Sequence, residues 1–194
     1  MSKRARNIFL IIISIQIISI LSFSFSQEII LHTGQEIILE TSPVDPRDIF
    51  RGEYVVLRYN ISTLSTDQCC FKSFAQKERQ EIHNGDKIYV QLQPNDETWI
   101  AINASKSKTA NNNPETITIK GKITEIKNRC YDNIPEGRCY AEEYSLEYGI
   151  ESYFVPEGQG KAIEQTKDLK VIARVNSRGI AKINNLLVNG EIWK

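Results

Sequence analysis

Gly52-Glu53-Tyr54-Val55-Val56-Leu57-Arg58-Tyr59-Asn60-Ile61 sets the class of the fold. Val55, Leu57, Tyr59 and Ile61 fall on one face of an extended chain, and Tyr54, Val56, Arg58 and Asn60 on the other. That period of two is the mark of a half-buried strand. In front of it lies Pro43-Val44-Asp45-Pro46-Arg47-Asp48-Ile49-Phe50-Arg51. Its two prolines exclude both a helix and a paired ladder, so the segment reads as an extended turn. Asp45 and Asp48 are placed to accept hydrogen bonds from nearby amides, with Arg47 able to bridge the carboxylates. Gly52 then supplies a positive φ or a close approach where the strand begins.

The same period recurs along the chain. Strands are expected over residues 36–41, 53–61, 87–93, 98–103, 116–126, 140–148, 170–176, 179–184 and 186–192. Pro94-Asn95-Asp96-Glu97 makes a hairpin turn, as do Asn176-Ser177-Arg178-Gly179 and Asn189-Gly190. Gly121, inside a clean alternation, marks a bulge or a close approach. Residues 105–114, rich in Ser, Lys and Asn, form a polar loop, and 160–167 a short helix. Residues 63–84 carry no clear period and read as a loop with a short helix. The expected fold is mainly β: an antiparallel sandwich- or barrel-like domain with one short helix, preceded by a transmembrane helix. Strand count alone does not choose between sandwich and barrel. No internal repeat is evident.

From Ile8 to Phe25 the chain is Ile-rich, and no charge occurs between Arg6 and Glu28. A helix of that run spans roughly 27–30 Å, close to the hydrocarbon thickness of a bilayer. Lys3, Arg4 and Arg6 before it place the N-terminus inside and the body on the exported side. A cleaved signal peptide is the competing reading, since Ser24 and Ser26 flank Phe25. The apolar run exceeds the usual ~7–15 residues of such a signal, and no Ala-x-Ala site follows. The expectation is a single-pass plasma (inner) membrane protein with its anchor in residues 1–27 and its domain in 28–194.

Lys plus Arg number 24, as do Asp plus Glu, so the charge balance gives no nucleic-acid surface. The four cysteines allow three pairings. Cys130 and Cys139 bracket a turn-rich loop whose ends meet at a hairpin neck, and are the preferred pair. Adjacent Cys69 and Cys70 are poorly placed to bond each other. With two histidines and no Cys-x-x-Cys, no zinc site is expected. No cofactor is expected either, because the chain has no phosphate-cradling glycine loop or dinucleotide fingerprint. Ser42-Pro43 bears a faint resemblance to the serine segment of signal peptidases, but no lysine segment supplies the base such a nucleophile needs. No catalytic residue is assigned.

A second polar segment is Tyr148-Gly149-Ile150-Glu151-Ser152-Tyr153-Phe154-Val155-Pro156-Glu157-Gly158. Strict alternation puts Glu151 and Tyr153 on one face, where Glu151 is expected to meet Arg47, Arg51 or Arg58. A buried carboxylate without such a partner would be costly. The candidate binding residues are therefore Asp45, Arg47, Asp48, Arg51, Gly52, Glu53, Tyr54, Arg58, Tyr148, Glu151, Tyr153 and Glu157. Two readings stand side by side: an internal ion-pair scaffold, or a polar rim for a small ligand or partner.

Together the two segments resemble the GDYXXLXY-domain proteins, a family of bacterial membrane-anchored proteins named for Gly-Asp-Tyr-x-x-Leu-x-Tyr. Gly52, Tyr54, Leu57 and Tyr59 match the signature, and Glu53 stands where the family name has Asp. The resemblance covers nearly the whole chain and implies an anchored, exported domain. It brings no biochemical activity. The expected role is a non-enzymatic accessory or interaction component of a membrane assembly, with an integral membrane protein as partner. A small-ligand module built on the Arg/Glu/Tyr cluster is the alternative, and a serine hydrolase the remote one.

Overall fold

The computed structural model describes residues 3–42, 54–65, 82–108, 113–130, 139–156, 158–160, 163, 166 and 168–193. Its first element is one helix, α1 (Lys3–Thr33), of 31 residues. It is long and apolar enough to cross a membrane, and no residue of its most apolar window is buried in the protein. Ser14 and Thr33 donate their hydroxyls to the carbonyls of Leu10 and Ile29, four residues back, so these polar groups stay satisfied within the helix. At about 1.5 Å per residue α1 is roughly 46 Å long. It therefore runs past the charge-free segment and past Gln27, up to the body.

The chain passes from helix to sheet through a single residue. Gly34 donates its amide to the Ile30 carbonyl at 2.9 Å, and β1 (Gln35–Ser42) starts at the next residue. A Cβ at Gly34 would lie 2.6 Å from the Ile30 carbonyl oxygen and 3.1 Å from the Val175 amide nitrogen, so only glycine fits. Arg174 fastens the joint, donating one Nη to the Gly34 carbonyl at 3.1 Å and the other to Glu36 at 2.8 Å.

The body is β, folded into a nearly closed, barrel-like sheet. Its strands after β1 are β2 (Tyr54–Val56), β3 (Arg58–Tyr59), β4 (Thr63–Ser65), β5 (Lys87–Asn95), β6 (Thr98–Ser105), β7 (Ile117–Cys130), β8 (Cys139–Glu147), β9 (Ser152–Phe154), β10 (Leu169–Val175), β11 (Ala181–Val188) and β12 (Glu191–Ile192). One five-stranded sheet has the order β12-β11-β10-β1-β3, a second the order β4-β8-β7-β5-β6, and β2 with β9 makes a separate two-stranded ribbon. Every pairing is antiparallel.

Two features bring the sheets together. The chain leaves β3 through a 3₁₀ turn (Asn60–Ser62) and enters the second sheet directly as β4. On the opposite side, the turn between β10 and β11 reaches β7, where the Lys120 amide donates to the Gly179 carbonyl at 2.8 Å. The core between the sheets draws on nearly every strand, with Ile37, Leu39, Val55, Ile88, Val90, Leu92, Ile119, Ile123, Tyr144, Val171, Ala173 and Leu186 fully buried.

The expected strands are largely found, with three differences, the first being that β4 (Thr63–Ser65) lies in the stretch expected as a loop with a short helix. The long strand over 53–61 is broken at Leu57 and ends in the 3₁₀ turn. Its inner residues nonetheless keep their face, because Val55, Leu57, Tyr59 and Ile61 are all buried. The separate strands expected over 179–184 and 186–192 are one strand, β11, with a bulge against Ile172 and Ala173. Asn189 and Gly190, at φ 53° and 82°, make the tight turn to β12. Gly121 does mark a close approach: a Cβ there would meet the Tyr148 ring at 3.0 Å. In the expected helix over 160–167, the described residues Gly160 and Ile163 are helical and Thr166 is not.

Candidate functional site

The two polar segments meet as strands. β2 and β9 pair in the register Tyr54 with Phe154, Val55 with Tyr153 and Val56 with Ser152. The contact continues past the ribbon, where the Leu57 amide donates to the Glu151 carbonyl at 2.8 Å. Two tyrosines tie the segments inward. Tyr59, 1 % exposed, donates its hydroxyl to the Ile150 carbonyl. Tyr148 donates to the Ile61 carbonyl at 2.6 Å. Each hydroxyl thus satisfies a carbonyl of the other segment, which a buried peptide group requires. Burial, and secondarily the nearby Glu151 charge, push the Tyr59 phenol far above its ordinary pKa of 10.0.

Glu151 does not pair with Arg58. Its carboxylate accepts from the amides of Tyr148 and Gly149, the latter at 2.9 Å, while Arg58 donates to the Thr63 hydroxyl at 3.2 Å. Gly149 has φ 81°, a left-handed backbone that places both amides toward the carboxylate. The strict alternation expected over the second segment is therefore interrupted by a turn closed by Glu151, followed by the short β9. This turn resets the alternation. Ile150 and Val155 are buried, while Ser152 and Phe154 face out.

The result is an exposed aromatic pair. Tyr54 and Phe154, 50 % and 59 % exposed, stack edge to face with ring centroids 5.5 Å apart and planes at 78°. Tyr153, on the opposite face of the ribbon, packs against the core. The ribbon joins the body at the end of β1 remote from α1, because Thr41 pairs with Tyr59 and Ser42 with Arg58. Eight residues of strand, about 26 Å, separate that end from the helix.

Of the other candidate residues, Asp45, Arg47, Asp48, Arg51, Gly52, Glu53 and Glu157 lie outside the described residues, as do Cys69 and Cys70. Cys130 and Cys139 are direct backbone partners across β7 and β8. Ser42 donates its hydroxyl to the Asn60 side-chain oxygen at 2.6 Å, a group that cannot take its proton. Among the described residues no cluster of His, Cys, Asp or Glu is suited to a metal. A cleft of about 160 Å³ is lined by Glu40, Asn60, Thr63, Leu64 and Trp99, from β1, the 3₁₀ turn, β4 and β6. It is below the ~300 Å³ at which small-molecule sites begin.

Strict alternation hid Phe154, since it placed that residue on one face with Ile150, which is buried. The Gly149-x-Glu151 spacing, a glycine and a carboxylate positioned to close a turn, was the available signal for the change of phase.

No curated protein and no solved structure matches the chain. The family model described as GDYXXLXY protein matches residues 16–186, which takes in both segments that build the ribbon. The chain belongs to the GDYXXLXY family.

Proposed function

We propose that this is a non-enzymatic cell-envelope protein held in the bacterial plasma membrane by α1, with its N-terminus inside and its β body exported. It acts as an accessory or interaction component of a membrane assembly, and its partner is an integral membrane protein of the same bilayer. The anchor reading is supported by the apolar run of α1, whose most apolar window is unburied, and by the basic residues before that run.

The observation that carries the interaction reading is the exposed Tyr54–Phe154 pair. Aromatic side chains are the usual anchors of protein interfaces, and here two of them sit side by side on the ribbon that joins the signature segments. They are not needed to fill the core, which Val55, Leu57 and Tyr59 from the same signature already do. In the small-ligand alternative, the Glu151 carboxylate would be shared with the two backbone amides it accepts from.

The test is affinity purification of the full-length protein from its own membranes, beside a Tyr54→Ser/Phe154→Ser variant. A stoichiometric membrane-protein partner recovered with the wild type and lost from the variant, with melting unchanged, is expected. Recovery of no stoichiometric partner, or equal recovery by both proteins, overturns the reading.

A further inference from the structure

Four cations gather around one turn at the foot of the body. Arg178 lies within the turn 176–180 that joins β10 and β11. Lys108 donates its ammonium to the Ser177 carbonyl. Lys120 donates its amide to the Gly179 carbonyl. Lys182 stands opposite Arg174 in the β10–β11 ladder. Among the described residues none of the four has a carboxylate within 4.0 Å. Among the described residues the nearby acids are few: Glu36 is taken by Arg174, Asp86 by Lys106, Glu115 stands near the start of β7, and Glu147 stands opposite Lys122 in the β7–β8 ladder. Like charges on neighbouring elements repel unless an anion lies among them, and among the described residues no carboxylate pairs with these four.

The turn is at the helix end of the body. Val175, the residue before it, pairs with Gln35, two residues after α1 ends. Glu28 is the first charge past the apolar run, and residues 28–33 rise about 9 Å above it at ~1.5 Å each. The polar layer of a bilayer is about 5–8 Å deep on each side. Lysine and arginine side chains hanging from the 176–180 turn therefore reach that layer, within a screening length of about 8 Å.

We infer that Lys108, Lys120, Arg178 and Lys182 form a basic collar that seats the body on anionic phospholipid headgroups of the leaflet from which α1 emerges. This rests on the membrane reading above. The collar holds the foot of the body to the bilayer electrostatically, as juxtamembrane basic segments do, and leaves the aromatic ribbon at the other end facing away.

The test places the full-length protein in vesicles of phosphatidylcholine alone, or with about one third phosphatidylglycerol, and measures amine acylation of individual lysines after flotation. Labelling of Lys108, Lys120 and Lys182 is expected to fall about threefold or more in the anionic vesicles and to recover in about 0.5 M salt. Lys170, at the far end of β10, serves as the unchanged reference. In an Arg178→Gln/Lys182→Gln variant, the protection of Lys108 and Lys120 should drop by about half or more at unchanged melting temperature. Equal labelling of floated protein in both vesicles, or a variant protected like the wild type, overturns the collar and leaves the anchor standing. Protein that fails to float overturns the anchor reading and the collar with it.

Discussion

Replacing Tyr59 by Phe removes one hydroxyl from the buried contact between the two signature segments. The ring still fills its place, so the change is confined to the hydrogen bond to the Ile150 carbonyl. Loss of a buried bond that leaves its acceptor unsatisfied costs about 1–2 kcal/mol. For a body of this size that is a fall of roughly 3–6 °C in melting temperature. The pH dependence gives a second, independent reading. The folded phenol is held far above 10.0, the ordinary value that it regains on unfolding. A group whose pKa is raised by folding contributes its stability in full below the unfolded pKa and loses it as pH rises toward the folded one. Above pH 10 the unfolded wild type releases a proton that the folded protein keeps, which costs about 1.4 kcal/mol by about pH 11. Tyr59→Phe lacks this term. Thermal melts of the full chain in detergent should therefore show the wild type ahead at neutral pH and the two proteins converging near about pH 11. A neutral-pH gap below about 0.5 kcal/mol, or a gap that does not narrow in alkali, would refute the reasoning.

Gly34→Ala should lower stability by about 2 kcal/mol, because the added methyl meets backbone on both sides of the joint; a melting temperature equal to wild type would show that the joint can open to admit it. Glu151→Gln leaves an amide facing two backbone donors and should cost about 1–2 kcal/mol in urea titrations, and an unchanged midpoint would count against the carboxylate as the closure of that turn. Cys130 and Cys139, register partners across the hairpin neck, are expected to form a disulfide worth about 2–3 kcal/mol. Both should resist alkylation in denatured, unreduced protein, and complete labelling of the two would dispose of the bond.

Much of the fold was legible because the alternation is strong where one face meets the core. The signature stretch kept its inner residues buried even where the strand itself breaks at Leu57. A face depends on direction relative to the core, while a strand label also depends on hydrogen-bond partners that the sequence does not name. The second segment misled for a local reason. A carboxylate three residues after Tyr148 can cap its own turn or seek a distant arginine, and periodicity does not distinguish the two. Once Glu151 closes the turn, every later residue up to Val155 changes side. The two segments were expected to meet through an ion pair of Glu151 with Arg47, Arg51 or Arg58; Arg58 is engaged elsewhere, Arg47 and Arg51 lie outside the described residues, and the described contact is a ladder, two tyrosine hydroxyls and a surface ring pair. The basic collar was hidden for a different reason: its members are drawn from β7, β11, a hairpin turn and a polar loop that adjoin only after folding.

The single-residue joint at Gly34 makes the helix and β1 behave as one lever. With the Ile30 carbonyl and Val175 packed against Gly34, and Arg174 bracing it, no slack separates the two arms. A change of about 10° in the tilt of α1, such as a thicker or thinner bilayer produces, would swing the far end of a ~26 Å strand by about 4–5 Å. Under the proposed membrane reading, the height and lean of the Tyr54–Phe154 pair become a readout of bilayer thickness, set some distance from where the bilayer acts.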